Sequence, residues 1–368
     1  MKFSCKQSEL VEALSNVQRA VSNKSNMAVL EGILIEANSG NLKFSGYNLE
    51  MGIITSICAN VENSGSIVLS AKLFTEIVRR LPNEIVVLET DSQFKAHITS
   101  GMSEFSLIGI DPKEFPEMPK TENPNTIEIE SNILKSMIRQ TIFAVADTDS
   151  KPIHTGTLFD IKNESLTMVS VDGYRLALRK ENIKEKLELR FVVPGKTLSE
   201  VLRLIPDSED KKVKILIGIR HIVFEVENYF IISRLLEGDF LDYQATIPEA
   251  FTTKLDMNTK TLTSSVERVS LMVTDRLKSP VRCLICSDKI KLSCHTSIGK
   301  ANDELECSAE GNSVEIGFNN KYMIDALRNS DTDEVMIQFN GPLSPIKVMP
   351  KQGDAFLFLV LPVRLKSE

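Results

Sequence analysis

Positive charge is scarce in this chain as a whole: 43 Lys and Arg stand against 50 Asp and Glu, a net charge of −7. That balance excludes a protein that grips nucleic acid through bulk charge, so any such contact has to come from where the cations are placed. Long apolar runs are missing too. The longest, at 356–361, is far short of the roughly 20 residues a membrane-spanning helix needs. The opening MKFSCKQSEL has no apolar run behind its lysines, and a soluble cytosolic protein is expected. Six irregularly spaced cysteines in 368 residues are too few for a disulfide scaffold and agree with a reducing compartment.

The recognisable signatures of catalysis are absent as well. There is no nucleophile elbow, P-loop or dinucleotide glycine pattern, and four histidines (His97, His154, His221 and His295) are scattered along the chain. Asp147 and Asp149 could be imagined as paired carboxylates, but they stand in a polar loop and read as solvated. Cys283-x2-Cys286, followed by Cys294-His295 and Cys307, has the outline of a zinc site. Cys283 and Cys286 lie in the alternating stretch VRCLICSD, where positions i and i+3 point to opposite faces and no Gly or Pro makes a chelating turn. Neither enzyme activity, metal nor cofactor is expected.

What the chain does have is a repeat. It is 42% hydrophobic over 368 residues, long enough for two or three cores. KLFTEIVRR at 72–80 returns as KTLSEVLRLI at 196–205 and KYMIDALRNS at 321–330. All three contain Lys-x6-Arg (Lys72/Arg79, Lys196/Arg203, Lys321/Arg328), at offsets of 124 and 125 residues. That period is a domain length, not a solenoid repeat. An earlier amphipathic helix recurs at 8–21, 131–145 and 259–273, with apolar residues at helical spacing. Alternating segments such as GILIEA, NLKFSGY, SLTMVSV and IKLSCHT read as hairpin strands between the helices, and EIVVLET, VKILIGI and EVMIQF as strands after them. Each unit therefore reads helix, strands, helix, strands: an α+β module made three times. The proline-rich 111–126 and the shorter 247–254 read as linkers, so the domains fall at 1–120, 125–247 and 252–368.

Seven residues is close to two helical turns, so each Lys and Arg share a face about 10 Å apart along the axis. One reading is that these are solvated positions opposite the core, filled with good helix formers. The other is that the three helices point one way and neutralise phosphates without reading bases, with Lys24, Lys135, Arg139 and Arg268 nearby. VDGYRLA at 171–177 reads most simply as a hairpin turn at Asp172-Gly173, and FLFLVLPVRL as an edge strand ended by Pro362.

VSVDGYRLALRK at 169–180, GDFLDYQATIP at 238–248, IGFNNKYMIDAL at 316–327 and LPVRL at 361–365, carried on three α+β repeats, closely resemble the sliding-clamp family, the beta subunits of bacterial DNA polymerase III. The resemblance implies a non-enzymatic, nucleoid-associated processivity factor: a head-to-tail homodimer closing into a ring around double-stranded DNA without sequence specificity. Its implied DNA-facing residues are Lys24, Lys72, Arg79, Lys151, Lys196, Arg203, Lys321 and Arg328, with Arg282 less central. It also implies a groove that takes a short linear peptide, with Gln and Leu/Phe anchors, from the replicative polymerase, the clamp loader and other proteins. The deeper part of that groove would use His154, Val171, Gly173, Tyr174, Arg175, Leu176, Leu241, Thr246, Leu359 and Leu361. The shallower part would use Asn319, Tyr322, Leu343, Pro345, Pro362, Val363 and Arg364. His154, Tyr174 and Leu241 depart from residues commoner in the family (Leu, His and Pro). The competing reading is a monomeric three-domain scaffold that binds peptides at this groove and never encloses DNA.

Overall fold

The computed structural model describes residues 1–22, 24–82, 84–148, 151–208, 210–274 and 279–365. Asp149 and the tail 366–368 lie outside the described residues. The helices are α1 (Gln7–Val17), α2 (Ala71–Arg80), α3 (Ser131–Ile142), α4 (Gly195–Leu204), α5 (Thr259–Ser270) and α6 (Asn320–Arg328). In α2 the buried residues Ala71, Phe74, Thr75 and Val78 repeat at three- and four-residue steps, so one face packs inward while Lys72 and Arg79 stay outside. Complete burial of Phe74 and Val78 contributes about 1.5–3 kcal/mol each in transfer free energy. The helices of the last third start on asparagine caps: Asn258 accepts from Thr261 N and Asn319 from Lys321 N, both at 2.9 Å.

A strand opens every repeat ahead of its first helix: Lys2–Lys6, Asn125–Glu130 and Thr253–Asn258. The expected order of helix, strands, helix, strands is corrected accordingly. The alternation of polar and apolar residues along KFSCK, NTIEIE and TKLDMN, which the burial follows, was the available signal. The second and third opening strands also absorb the last residues of both expected linkers. The first linker is not loose either, because Phe115 is buried with Val29, Leu30, Tyr47 and Val68.

The chain forms two compact units, one of Met1–Leu134 with Ser199–Leu235, the other of Lys135–Leu198 with Leu236–Glu368. In the first, α1 packs on α2. Its eight-stranded sheet is assembled from two thirds of the chain, because Tyr229–Arg234 pairs antiparallel with Met51–Cys58. Across the same junction Asn16 Nδ2 donates to the Tyr229 hydroxyl at 2.8 Å. A five-stranded sheet completes this unit and ends on the strand Ser103–Ile108.

The second unit repeats the plan. Here α5 packs on α6, and a nine-stranded sheet is joined where Arg175–Asn182 pairs with Phe356–Val360. Its five-stranded sheet ends on Gly299–Glu306. The C-terminal segment is not the edge strand expected of it. Phe356–Val360 is hydrogen-bonded on both sides, to Arg175–Asn182 and Ile346–Pro350. The chain then changes sheets, and Pro362–Val363 forms the last strand of the five-stranded sheet, against Val314–Phe318. A proline lacks the N–H a central ladder needs but is tolerated at a sheet edge, so the break falls at Leu361.

Candidate functional site

All six cations of the repeated Lys-x6-Arg pairs are exposed, as are Lys24 and Lys151. The arginines are not isolated charges. Arg79 donates to Glu76 Oε1 at 2.6 Å and reaches Ser15 Oγ at 3.4 Å. Arg203 lies 4.0 Å from Glu200, and Arg328 meets Glu267 on α5 through two nitrogens at 2.8 and 3.0 Å. Exposed pairs of this kind are worth about 0–1 kcal/mol, so the guanidinium groups can exchange partners at little cost. Of the cations noted nearby, Arg139 pairs with Asp331 and Arg268 with Asp303. Arg282 lies in the strand Val281–Ile285 and donates to Glu315 at 2.8 Å.

The expected groove residues come together in the second unit, where the central third of the chain joins the last. Register places Leu176 opposite Leu359, and the Leu361 N–H donates to Tyr174 O at 2.9 Å. Val171, Leu176 and Leu359 are buried in one cluster with Tyr243, and Leu241 packs against it. Asp172 shapes the turn by accepting from the main-chain N–H groups of Tyr174 and Arg175 at 2.8 and 3.0 Å. Gly173 adopts φ +90° with open space around it, a conformation that side chains resist. His154 meets Phe240 edge-on, with centroids 5.6 Å apart. Burial, aided by the charge of Lys151, pushes the His154 imidazole below its ordinary pKa, which favours a neutral ring against this apolar wall. Thr246 is turned locally, its hydroxyl donating to Tyr243 O at 2.7 Å.

The shallower part is more open. Tyr174, 63% exposed, stacks on Tyr322 with centroids 6.2 Å apart. Leu343, Leu361, Val363 and Arg364 are exposed, while Asn319, Pro345 and Pro362 are half-buried. The Asn319 side chain caps α6. Arg175 is inward-facing: it pairs with Asp172 and Asp325 and lies 4.6 Å over the Tyr322 ring and 5.5 Å over Phe143. Sequence reasoning did not find Asp325, Phe143 or Phe240, and no local pattern marks partners up to 150 positions away from Arg175.

The cysteine-rich stretch is apolar in character. Cys283 and Cys294 are buried, Cys286 and Cys307 partly so, and burial pushes the Cys283 thiol up. Among the described residues there is no group of three or more His, Cys, Asp or Glu placed to hold a metal ion. No helix among them is long and apolar enough to cross a membrane.

Models of the N-terminal, central and C-terminal domains of the DNA polymerase III beta subunit match residues 1–119, 128–242 and 244–364. The chain belongs to the beta sliding clamp family. A beta sliding clamp of Staphylococcus epidermidis is 32% identical, with 99% of both chains covered. The crystal structure of the Bacillus subtilis DNA polymerase sliding clamp is 32% identical with a TM-score of 0.96, both chains fully covered. That of the beta subunit from the Streptococcus pyogenes DNA polymerase is 28% identical with a TM-score of 0.94, covering 99% of this chain and all of the other. This clamp is thus a DNA sliding clamp of replication and a non-catalytic processivity factor, and clamp membership carries with it DNA and polymerase partners and dimerisation.

Proposed function

We propose that two copies of this chain close head-to-tail around duplex DNA, and that Lys24, Lys72, Arg79, Lys151, Lys196, Arg203, Lys321 and Arg328 face the enclosed strand. The observation that carries this reading is the exposure of the same two cations on the second helix of all three repeats. Carboxylates beside Arg79, Arg203 and Arg328 keep the attraction weak, which suits a sleeve that slides. Retention then comes from the closed ring rather than from affinity, and a net charge of −7 is no obstacle.

Two open sheet edges suit the head-to-tail joint. Ser103–Ile108 exposes Phe105 at 42% and Ile108 at 87%, an unpaired apolar edge of the kind that seeks a partner strand. The complementary edge is Gly299–Glu306. The groove around Val171, Leu176, Leu241 and Leu359 takes a short extended peptide from the replicative polymerase, the clamp loader and other clamp-binding proteins. Its apolar floor buries leucine or phenylalanine anchors, and its rim of main-chain and polar groups orients the peptide. The setting is the cytoplasm, on the nucleoid.

The deciding experiment loads labelled protein onto nicked circular DNA with a clamp loader, isolates the complex and then linearises the DNA. Retention on the circle and release after cutting are expected. Retention on linear DNA with free ends would remove the topological mechanism.

A further inference from the structure

The join between the first and central thirds of the chain is built on the same frame as the join that carries the groove. Asn48-Leu49 stands 124 residues before Asp172-Gly173. Asn48 Oδ1 accepts from the main-chain N–H groups of Glu50 and Met51 at 3.0 and 2.8 Å, as Asp172 does from those of Tyr174 and Arg175. The Arg234 N–H donates to Glu50 O at 2.8 Å, the counterpart of Leu361 on Tyr174 O. This likeness is one of backbone construction and does not depend on what either join binds.

The lining differs. Arg234 pairs in register with His221, so their side chains share a face, and the Leu235 N–H donates to Arg220 O at 2.9 Å, which brings a second arginine to the same edge. Both arginines are exposed. Burial, then the charges of Arg234 and Arg220, push the His221 imidazole below its ordinary pKa, so both guanidinium groups act on one ring. Across residues 47–51, 218–222 and 232–235 the charged side chains are Arg220, Arg234 and Glu50, a local positive excess in a chain of net charge −7.

Apolar side chains stand open beside this charge: Ile219 is 98% exposed and Leu49 49%. Leu49 adopts φ +74°, a left-handed conformation that is costly for a residue with a Cβ, whereas the sister turn has Gly173 at φ +90°. A leucine that strains its backbone and still faces water gives the isolated chain no benefit, and burial under a docked segment offsets both costs. Behind it, the buried Tyr47 donates its hydroxyl to Leu49 O at 3.3 Å, and Met118 Sδ lies where a Cβ on Gly52 would collide.

We propose that this first join is a second docking site, and that it takes a short extended segment of a partner protein in which Asp or Glu flanks a leucine or phenylalanine. The carboxylates meet Arg220 and Arg234 through charge-assisted, forked hydrogen bonds, and the apolar side chain is buried against Leu49 and Ile219. A protein segment fits better than a nucleic acid strand, because the exposed neighbours are aliphatic and a strand's bases stack on aromatic rings.

The test is fluorescence anisotropy with labelled Asp-Glu-Leu-Asp-Glu-Phe and its amide counterpart Asn-Gln-Leu-Asn-Gln-Phe. The native chain should bind the acidic peptide on the order of tenfold more tightly than the amide. Arg220→Ser combined with Arg234→Ser should remove that margin. Leu49→Gly, which relieves the backbone strain, should weaken the acidic peptide about fivefold without lowering the thermal midpoint. Removal of 361–368 should change neither affinity. No binding of the acidic peptide by the native chain, or binding that all these substitutions leave unchanged, overturns the proposal and leaves the groove reading standing. Loss of binding on removal of 361–368 puts the peptide in the groove and overturns it as well. An oligothymidylate that binds through the two arginines while the peptide does not would overturn it in favour of nucleic acid.

Discussion

Replacing Arg175 by alanine tests how the central third of the chain is joined to the last. The Arg175 side chain is 12% exposed; it donates to Asp172 Oδ2 at 3.0 Å, pairs with Asp325, and covers the Tyr322 ring at 4.6 Å. Removing one member of a buried pair costs about 3–5 kcal/mol, because a carboxylate is left without its counter-charge. Asp172, itself 13% exposed, retains the main-chain N–H groups of residues 174 and 175, which brings the cost to the lower end, about 3 kcal/mol. The lost ring contact adds about 1 kcal/mol. Asp325 is 39% exposed, so Asp325→Ala should cost only about 1 kcal/mol. Hydrogen exchange followed by mass spectrometry reads the opening free energy of a local segment without requiring the whole chain to unfold together. Arg175→Ala should lower protection across 175–182 and 356–360 by two to three powers of ten, about 3–4 kcal/mol, while the eight-stranded sheet of the other unit keeps its protection. Equal effects of the two substitutions, or a change below about 1 kcal/mol for Arg175→Ala, would refute the reasoning.

Reversing Lys72, Arg79 and Lys196 to glutamate should impair loading onto DNA and leave peptide affinity intact. Removing 361–368, which takes away Leu361, Pro362, Val363 and Arg364, should do the opposite; loading and anisotropy assays run side by side check both. Phe105→Asp with Ile108→Asp should convert a dimer to a monomer by size-exclusion light scattering at low micromolar concentration, since both side chains are already exposed in the single chain and the fold does not depend on them. Tyr243 gives a pH signature. Burial, and a hydrogen bond from its hydroxyl to Asp160 at 2.9 Å, push the phenol up to about 12. The folded state therefore holds this proton more tightly than the unfolded state, so the stabilisation is complete below pH 10 and is lost as pH rises towards 12. Thermal midpoints from pH 9 to 12 should fall less steeply for Tyr243→Phe than for the native chain, and parallel curves would remove the assignment.

Local patterning made most of the secondary structure legible. Buried Ala71, Phe74 and Val78 follow helical spacing, and the stretches from GILIEA to EVMIQF formed the strands their alternation implied. The opening strands were missed because five or six residues of alternation beside a helix or a proline-rich segment carry little signal against their surroundings. The C-terminal segment was misread for a related reason. Phe356–Val360 is apolar at every position because both of its faces are covered, and only the strands pairing on each side show that it is central rather than at an edge. At the groove, the turn chemistry of Asp172-Gly173 was visible in the chain, whereas the ring under Arg175 and the carboxylate beyond it were not.

The sequence alone determined the three-fold repetition and the face on which each Lys-x6-Arg pair stands, because these follow from periodicities and spacings within single segments; the family was legible through the resemblance carried by the motifs at 169–180, 238–248, 316–327 and 361–365. Only the tertiary structure decided which thirds share a sheet, what Arg175 holds on to, and that Lys347 is buried. Those outcomes depend on strand pairing between residues separated by up to about half the chain, as between Leu176 and Leu359. Burial and electrostatic partners are set by that pairing.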